Sequence, residues 1–506
     1  MISDRKIGDW WAKYVNECPI WRTEALPDPS FKQRLLAEKL AIEIRRDLLC
    51  LCTPKTSDKP RELLLARFWE IVGAILTPYA PYALQGPTAL NTHFGDWSVP
   101  RSVWVATTRS RTRIALLDDT ELVVDRENAL FTSSAAIETL ITPSGCKLQV
   151  EVPESALIRL RLRHMRSQPD LVMAFLKSAK FDLDRLEALS QSHYRPAKFK
   201  KLADWCAQLD RPEIAAVLRA GRTPPRKPTT ITAPPSLIAP ARLGQPAYVT
   251  RLLDHLQLLR DALGEHLECR FDGGLVLDRV LAIAEQEKKS DTYHSSTIEG
   301  YRVSPHEIDV LIGGTTPPPS GESREQIERR MALLGYFAAH HFTLQQVAGL
   351  FGRERVLTER LAQDLHAQLF KPSVDACLLT APSLRSYRTI PVYIRNSRFV
   401  PPNWQKLGEL MQSAIEFIND IDEFSARAVL IHYAFVTIHP YTDGNGRTAR
   451  LLMNFVLATS GAPWVTIRIE DRDVYFRALQ QAQCDSKFDG LISLFSRYFS
   501  EPTRRR

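Results

Sequence analysis

His439-Pro440-Tyr441-Thr442-Asp443-Gly444-Asn445-Gly446-Arg447-Thr448-Ala449-Arg450 packs a proton acceptor, a hard-metal ligand, a small-residue backbone cradle and two guanidiniums into one short run. Upstream, Phe424 to Val436 places apolar residues at helical spacing, and downstream Leu451 to Ala458 reads as another buried helix. The run is therefore expected to be a loop between two core helices. Gly444, Asn445 and Gly446 can adopt backbone conformations that aim several N–H groups into one concavity, and the helix that follows adds the positive end of its dipole. An anion belongs in such a place.

Each side chain has a separable role. Asp443 offers a carboxylate at the rim, where Mg2+ shared with phosphate oxygens would have one protein ligand, several waters and the nucleotide itself. Arg447 and Arg450 can fork onto phosphate oxygens from the first turns of the helix. His439 is the one side chain in the run whose ordinary pKa lets it take a proton near neutrality, and Pro440 stiffens the turn that presents it. Alone, Asp-Gly-Asn-Gly would be an ordinary turn. The added His, Pro and two Arg weigh against that reading.

The run resembles the signature of the Fic family, His-Pro-Phe-x-Asp-Gly-Asn-Gly-Arg-x-x-Arg, with Tyr441 where Phe is usual. The resemblance covers roughly residues 246 to 500. It implies transfer of AMP from ATP to a Ser, Thr or Tyr hydroxyl of a target protein. His439 would take the hydroxyl proton, Asp443 would hold Mg2+, the Gly444, Asn445 and Gly446 backbone would cradle phosphates, and Arg447 and Arg450 would clamp them.

Three further segments gain meaning from this likeness. Ser295-Ser296-Thr297-Ile298-Glu299-Gly300 fits the family's inhibitory pattern, in which the Glu pairs with the second signature Arg, here Arg450, and keeps the triphosphate out of line. By itself the hexapeptide is also a plausible helix end. Ser386 to Arg395, rich in strand formers, and Phe399-Val400-Pro401-Pro402 resemble the family's flap, a hairpin over the nucleotide, with Val392, Tyr393, Ile394 and Arg395 nearest to it; without the likeness it is an edge hairpin. Asp471 to Gln483 matches the helix beside the adenine and ribose, where Tyr475, Phe476 and Gln483 would lie, although an aromatic pair on a helix is more often core.

Size and composition bound the rest. A chain of 506 residues with 44% apolar residues suits two or three domains with full cores. No run of apolar residues is long enough to span a membrane, and Met1 to Lys6 leads into no signal core, so a cytoplasmic protein without membrane contact is expected. The eight cysteines lack the spacing of a disulfide scaffold or zinc site. Residues 1–245 hold 36 Lys/Arg against 27 Asp/Glu, and the remainder 30 against 31, which places any anionic partner in the first half.

The expected organisation is a basic α+β domain at 1–220, a Pro-rich linker at 221–245, helices with the inhibitory motif at 246–325 and a mostly α Fic core with a β-hairpin flap at 326–500. In the first half, Phe31 to Ile44 and Glu62 to Leu76 read as helices, Leu48 to Cys52, Ser102 to Ala106 and Lys147 to Val152 as strands. Tyr82 to His93 with the following strand resembles the middle of AbiEi-type antitoxins, which pair a winged helix with an α/β domain. Nine Lys/Arg between Arg195 and Lys227 (195, 198, 200, 201, 211, 219, 222, 226, 227) suggest a nucleic-acid surface or merely a solvated face. The readings that compete with self-inhibited AMP transfer are another nucleotide donor, removal of AMP, and an antitoxin-like DNA-binding regulator whose Fic unit senses nucleotide. A homodimer is compatible with all of them.

Overall fold

The computed structural model describes residues 4–16, 18–117, 120–132, 136–193, 195–220, 246–313, 323–379 and 384–500. The expected linker at 221–245 and most of the 313–321 loop lie outside them. Two compact units result, Met1–Ala247 with Tyr393–Val400, and Tyr248–Val392 with Pro401–Arg506. The helices of 246–325 therefore fold with the signature region in one body rather than as a separate layer.

The first unit opens with the helix Asp4–Tyr14, strand β1 (Ile20–Arg22), the helix Pro29–Ala37, and strands β2 (Ala41–Arg45) and β3 (Leu48–Leu51) in an antiparallel sheet ordered β1-β3-β2. Asp28 caps the second helix by accepting from Ser30 N, and Pro29 supplies a fixed φ at its start. The expected helix from Phe31 to Ile44 is corrected: it stops at Ala37, Lys39 turns with φ 55°, and Ala41-Ile42-Glu43-Ile44 pairs as β2. Periodicity alone could not find that break because no Gly or Pro marks it. Leu48–Leu51 is buried throughout as the central strand, whereas β2 alternates at the edge.

A six-stranded mixed sheet follows, ordered β6-β7-β5-β4-β9-β8, with β4 Tyr82–Leu84, β5 Ser102–Thr107, β6 Thr112–Ala115, β7 Glu121–Arg126, β8 Ile137–Ile141 and β9 Lys147–Glu151. Both strands expected here, β5 and β9, form. Val103, Val105, Leu122, Val124, Leu148 and Val150 point to one face and make the main core with the helices that cover it.

The basic stretch from Arg195 is largely consumed by that packing. Lys198 Nζ donates to the Ile158 carbonyl in the interior, Arg211 donates to the carbonyls of Leu176 (2.9 Å) and Lys177 (3.1 Å), Arg219 reaches Asp204, and Lys201 lies over the Trp205 ring. Arg222, Arg226 and Lys227 lie outside the described residues. As a nucleic-acid surface this run is therefore not supported, because most of its described cations have internal work.

The flap forms no strand among residues 384–403, which corrects the expected β-hairpin. Pro391, Pro401 and Pro402 remove N–H donors where a ladder would need them. The chain turns at Asn396 (φ 58°), with Ser397 N donating to Ile394 O. Tyr393–Val400 belongs to the first unit: Val99 N donates to Arg398 O (2.7 Å), and Arg395 pairs with Glu62 (3.5 Å).

The second unit is helical. Its centre is the antiparallel pair Phe424–Ile438 and Asn445–Thr459, both buried nearly all round as core helices must be. Around them pack Ala247–His266, Leu277–Ile298, Arg324–Leu350, Glu359–Asp375, Leu407–Asn419, Arg472–Asp485 and Asp489–Ser500. Arg324–Leu350 crosses Glu359–Asp375 at Gly335, where any Cβ would collide with the Leu369 carbonyl. No helix among the described residues is long and apolar enough to cross a membrane, and all eight cysteines are free thiols.

Candidate active site

The signature run is the joint between the two central helices. Phe424–Ile438 ends at His439, which sits in the left-handed region (φ 53°, ψ 58°), and Gly444 takes φ 81° to start the next helix. A side chain at Gly444 would also meet Phe370 at 2.6 Å. Asn445 closes the turn in two directions: its Oδ1 accepts from Tyr441 N (3.0 Å) and its Nδ2 donates to Tyr441 O (2.8 Å). Its side chain is thus spent on the loop, and only its backbone is available to an anion. Tyr441 stacks on His366 with centroids 3.5 Å apart, and its hydroxyl is buried with no partner among the described residues.

His439 is half-buried, and its Nδ1 faces the Val436 carbonyl at 3.2 Å. The carbonyl can only accept, so Nδ1 carries the proton and Nε2 is left with its lone pair. Burial pulls the imidazole pKa down to about 4, the Val436 hydrogen bond opposes this, and the Arg388 guanidinium adds to the depression. The ring is a neutral base across the physiological range. Arg388 is a site residue that the pattern of the flap did not reveal. Buried, it donates to His439 O (2.9 Å), Ile390 O (3.0 Å) and Pro402 O (2.6 Å), while its own N donates to Pro440 O (2.9 Å). It ties the flap base to the turn that presents His439.

The guanidiniums are the largest fully buried side chains of the site. Arg447 lies between the rings of Tyr301 and Phe370, each 5.2 Å away, and donates to Asp443 Oδ2 at 3.1 Å. Its Nε and Nη1, and Nη1 of Arg450, are buried with no acceptor among the described residues. Buried donors without partners cost about 1–3 kcal/mol each, so they are a fitting place for phosphate oxygens. Asp443 keeps 57% of its side chain exposed while accepting from Gly444 N at 2.6 Å.

The helix Leu277–Ile298 delivers the Ser295–Gly300 segment. The helix end read from it forms, with Glu299 as the C-cap, and the expected pairing is present, Glu299 Oε1 meeting Arg450 Nη2 at 2.8 Å. Ser295 holds the same guanidinium, its Oγ accepting from Nε (3.0 Å) and its carbonyl from Nη2 (2.9 Å). A Cβ on Gly446 would collide with Glu299 Oε1, so the carboxylate rests against the first turn of the helix where an anion would bind. Behind Ser295, Tyr336 donates to Asp291 (2.8 Å), and Trp464 donates to the same carboxylate (3.1 Å). Burial raises that Asp291 to about 6 against those two bonds. Asp291, one helical turn before Ser295, and Tyr301, next to Gly300, had positional signals; Tyr336 and Arg388 had none.

The residues expected beside the base have these surroundings. Tyr475 is 1% exposed, its hydroxyl meets His432 Nε2 at 2.8 Å, and it also interacts with Arg450; Phe476 carries Arg472 over its ring, and Gln483 donates to Thr437. Val392 stays with the second unit, whereas Tyr393, Ile394 and Arg395 go with the first. Among the described residues no group of three or more His, Cys, Asp or Glu could hold a metal. Asp443 fits Mg2+ as a lone protein ligand that leaves the remaining positions to water and phosphate.

A half-buried neutral imidazole, a helix N-terminus and two buried guanidiniums with free donors together make a pocket edge chemically suited to an anion beside a proton acceptor. Comparison with known proteins finds a likeness over this region: residues 356–457 match the model of the Fic/DOC family. The chain is 32% identical over 225 residues to "Protein adenylyltransferase Fic" of Nematostella vectensis, a match covering 42% of this chain and 46% of that protein. It is 30% identical over 204 residues to "Protein adenylyltransferase fic-1" of Caenorhabditis elegans, covering 38% and 35%. The match thus spans less than half the length of either relative. A solved structure of Fic-1 from C. elegans aligns over 69% of this chain and 90% of that one at 21% identity, with a TM-score of 0.35.

Proposed function

We propose that the chain is a self-inhibited protein adenylyltransferase that moves AMP from ATP to a Ser, Thr or Tyr hydroxyl of a target protein. The observation that supports this most is the set of buried, unpartnered N–H groups on Arg447 and Arg450 beside a neutral His439, with Glu299 lying over them. His439 Nε2 takes the proton of the target hydroxyl as its oxygen forms a bond to the α-phosphorus. The bond from that phosphorus to the bridging oxygen breaks, and pyrophosphate leaves. The free donors of Arg447 and Arg450, with the N–H groups of the turn, receive the negative charge of the phosphates. Mg2+, when bound at Asp443, supplies further positive charge to those oxygens.

Glu299 and a triphosphate compete for one guanidinium, so the resting state is closed. Supplying ATP labelled at the α-phosphate to wild type, Glu299→Gly and His439→Ala in a lysate tests the proposal. Protein label is expected from wild type weakly, from Glu299→Gly strongly and from His439→Ala not at all. Label that comes from γ-labelled ATP instead, or that survives in His439→Ala, would refute it.

A further inference from the structure

The first unit carries a cationic face unrelated to the signature site. Arg111, at the entry of edge strand β6, contacts buried Asp125 through Nε at 2.7 Å, and Arg161 contacts the other oxygen of the same carboxylate at 2.6 Å. One carboxylate therefore orients two guanidiniums. Arg113, two residues along the edge strand, pairs with Glu121 at 3.1 Å yet keeps 67% of its side chain exposed. Arg163 is exposed and stacks on the half-buried Trp104 ring at 4.6 Å with no carboxylate in contact among the described residues.

The strand register explains the clustering. Trp104, Val123 and Arg113 stand in one row across β5, β7 and β6, and Asp125 lies two residues along β7 on the same face. Desolvation, and then Arg161, Arg111 and Arg113, hold Arg163 below the usual guanidinium value against the opposing pull of Asp125, so all three guanidiniums act on Arg163. His164 sits beneath them, 7% exposed. It accepts from Arg163 Nε at 3.2 Å, and its Nδ1 has no acceptor.

Charges on an edge strand can serve only to prevent edge pairing. That accounts for Arg111 and Arg113 but not for Arg161 and Arg163, which reach the same face from outside the sheet. Guanidiniums held in place with spare donors, next to a partly exposed indole, match phosphodiester oxygens and a stacked base.

We propose that this face of the first unit, centred on Arg111, Arg113, Arg161, Arg163 and Trp104, binds the phosphodiester backbone of a nucleic acid. The proposal does not depend on AMP transfer.

Fluorescence anisotropy of the full chain with a labelled duplex DNA and with a labelled single-stranded RNA, each over a salt series, tests it. Binding to either is expected, with log K falling with log salt at a slope of about −3 to −4 for four phosphate contacts. Arg163→Glu and Arg113→Glu avoid the buried Asp125 pairings, and their melting temperatures check folding. Each should weaken binding at least about tenfold and flatten the slope, while Arg324→Glu on the other unit should change nothing. The proposal is overturned by no binding at low salt, by folded variants that bind like wild type, by an equal loss in Arg324→Glu, or by polyglutamate displacing the nucleic acid at equal charge concentration.

Discussion

Tyr441 shows how far single positions can be read. Its aromatic ring was legible as an anchor, and the structure stacks it on His366. The fate of its hydroxyl was not, because burial without a partner depends on neighbours far away in sequence. Removing an unsatisfied buried hydroxyl while keeping the ring should be neutral or stabilising. Tyr441→Phe is thus expected to retain labelling activity and to melt at the same temperature or up to several degrees higher; a clear drop in melting temperature would show that the hydroxyl has a partner. Arg388 makes the opposite point. Nothing in its local pattern distinguishes it from a solvated flap residue, since all its acceptors are backbone carbonyls brought together only by the fold. Charge counting failed at Lys198 and Arg211 for the same reason.

Among the elements, the two central helices were visible because both are apolar over many turns, and the run between them could only be a loop. The flap was misread because strand-forming side chains carry no information about where three prolines block pairing. The segment after the second central helix is held by one side chain. Asn454, fully buried, donates to Val465 O (2.8 Å) and accepts from Val465 N (2.7 Å), so it replaces a strand partner for Val465. Asn454→Ala leaves both backbone groups unpaired in the interior and is expected to cost about 2–4 kcal/mol in urea unfolding. A loss below about 0.5 kcal/mol would mean that Val465 finds other partners.

For the whole molecule, the second unit holds five imidazoles, four buried and His439 half-buried, whose surroundings favour the neutral form. Burial lowers His255 and His432 to about 3 and His340, His366 and His439 to about 4. A folded-state pKa below the unfolded value means that these groups contribute stability fully above about pH 6.5 and lose it progressively as pH falls from there to their folded values. Asp291, raised to about 6, acts in the opposite sense, contributing most below its ordinary value and losing that as pH rises through 6. In the first unit His164, lowered to about 4, adds to the histidines and Glu151, raised to about 7, to the carboxyls; six imidazoles outweigh two carboxyls, so the melting temperature should fall by more than about 5 °C between pH 7 and pH 5. A flat profile would show that these histidines are already accessible to water.

The chain brings residue 299 to residue 450 across 151 positions, and the pairing of their side chains at 2.8 Å is the centre of the account. The most direct test is calorimetric titration of ATP with Mg2+ into wild type and Glu299→Gly. If one guanidinium serves either the carboxylate or the triphosphate, the variant binds ATP at least about tenfold more tightly, a gain of about 1.4 kcal/mol. Equal dissociation constants for the two proteins would contradict it.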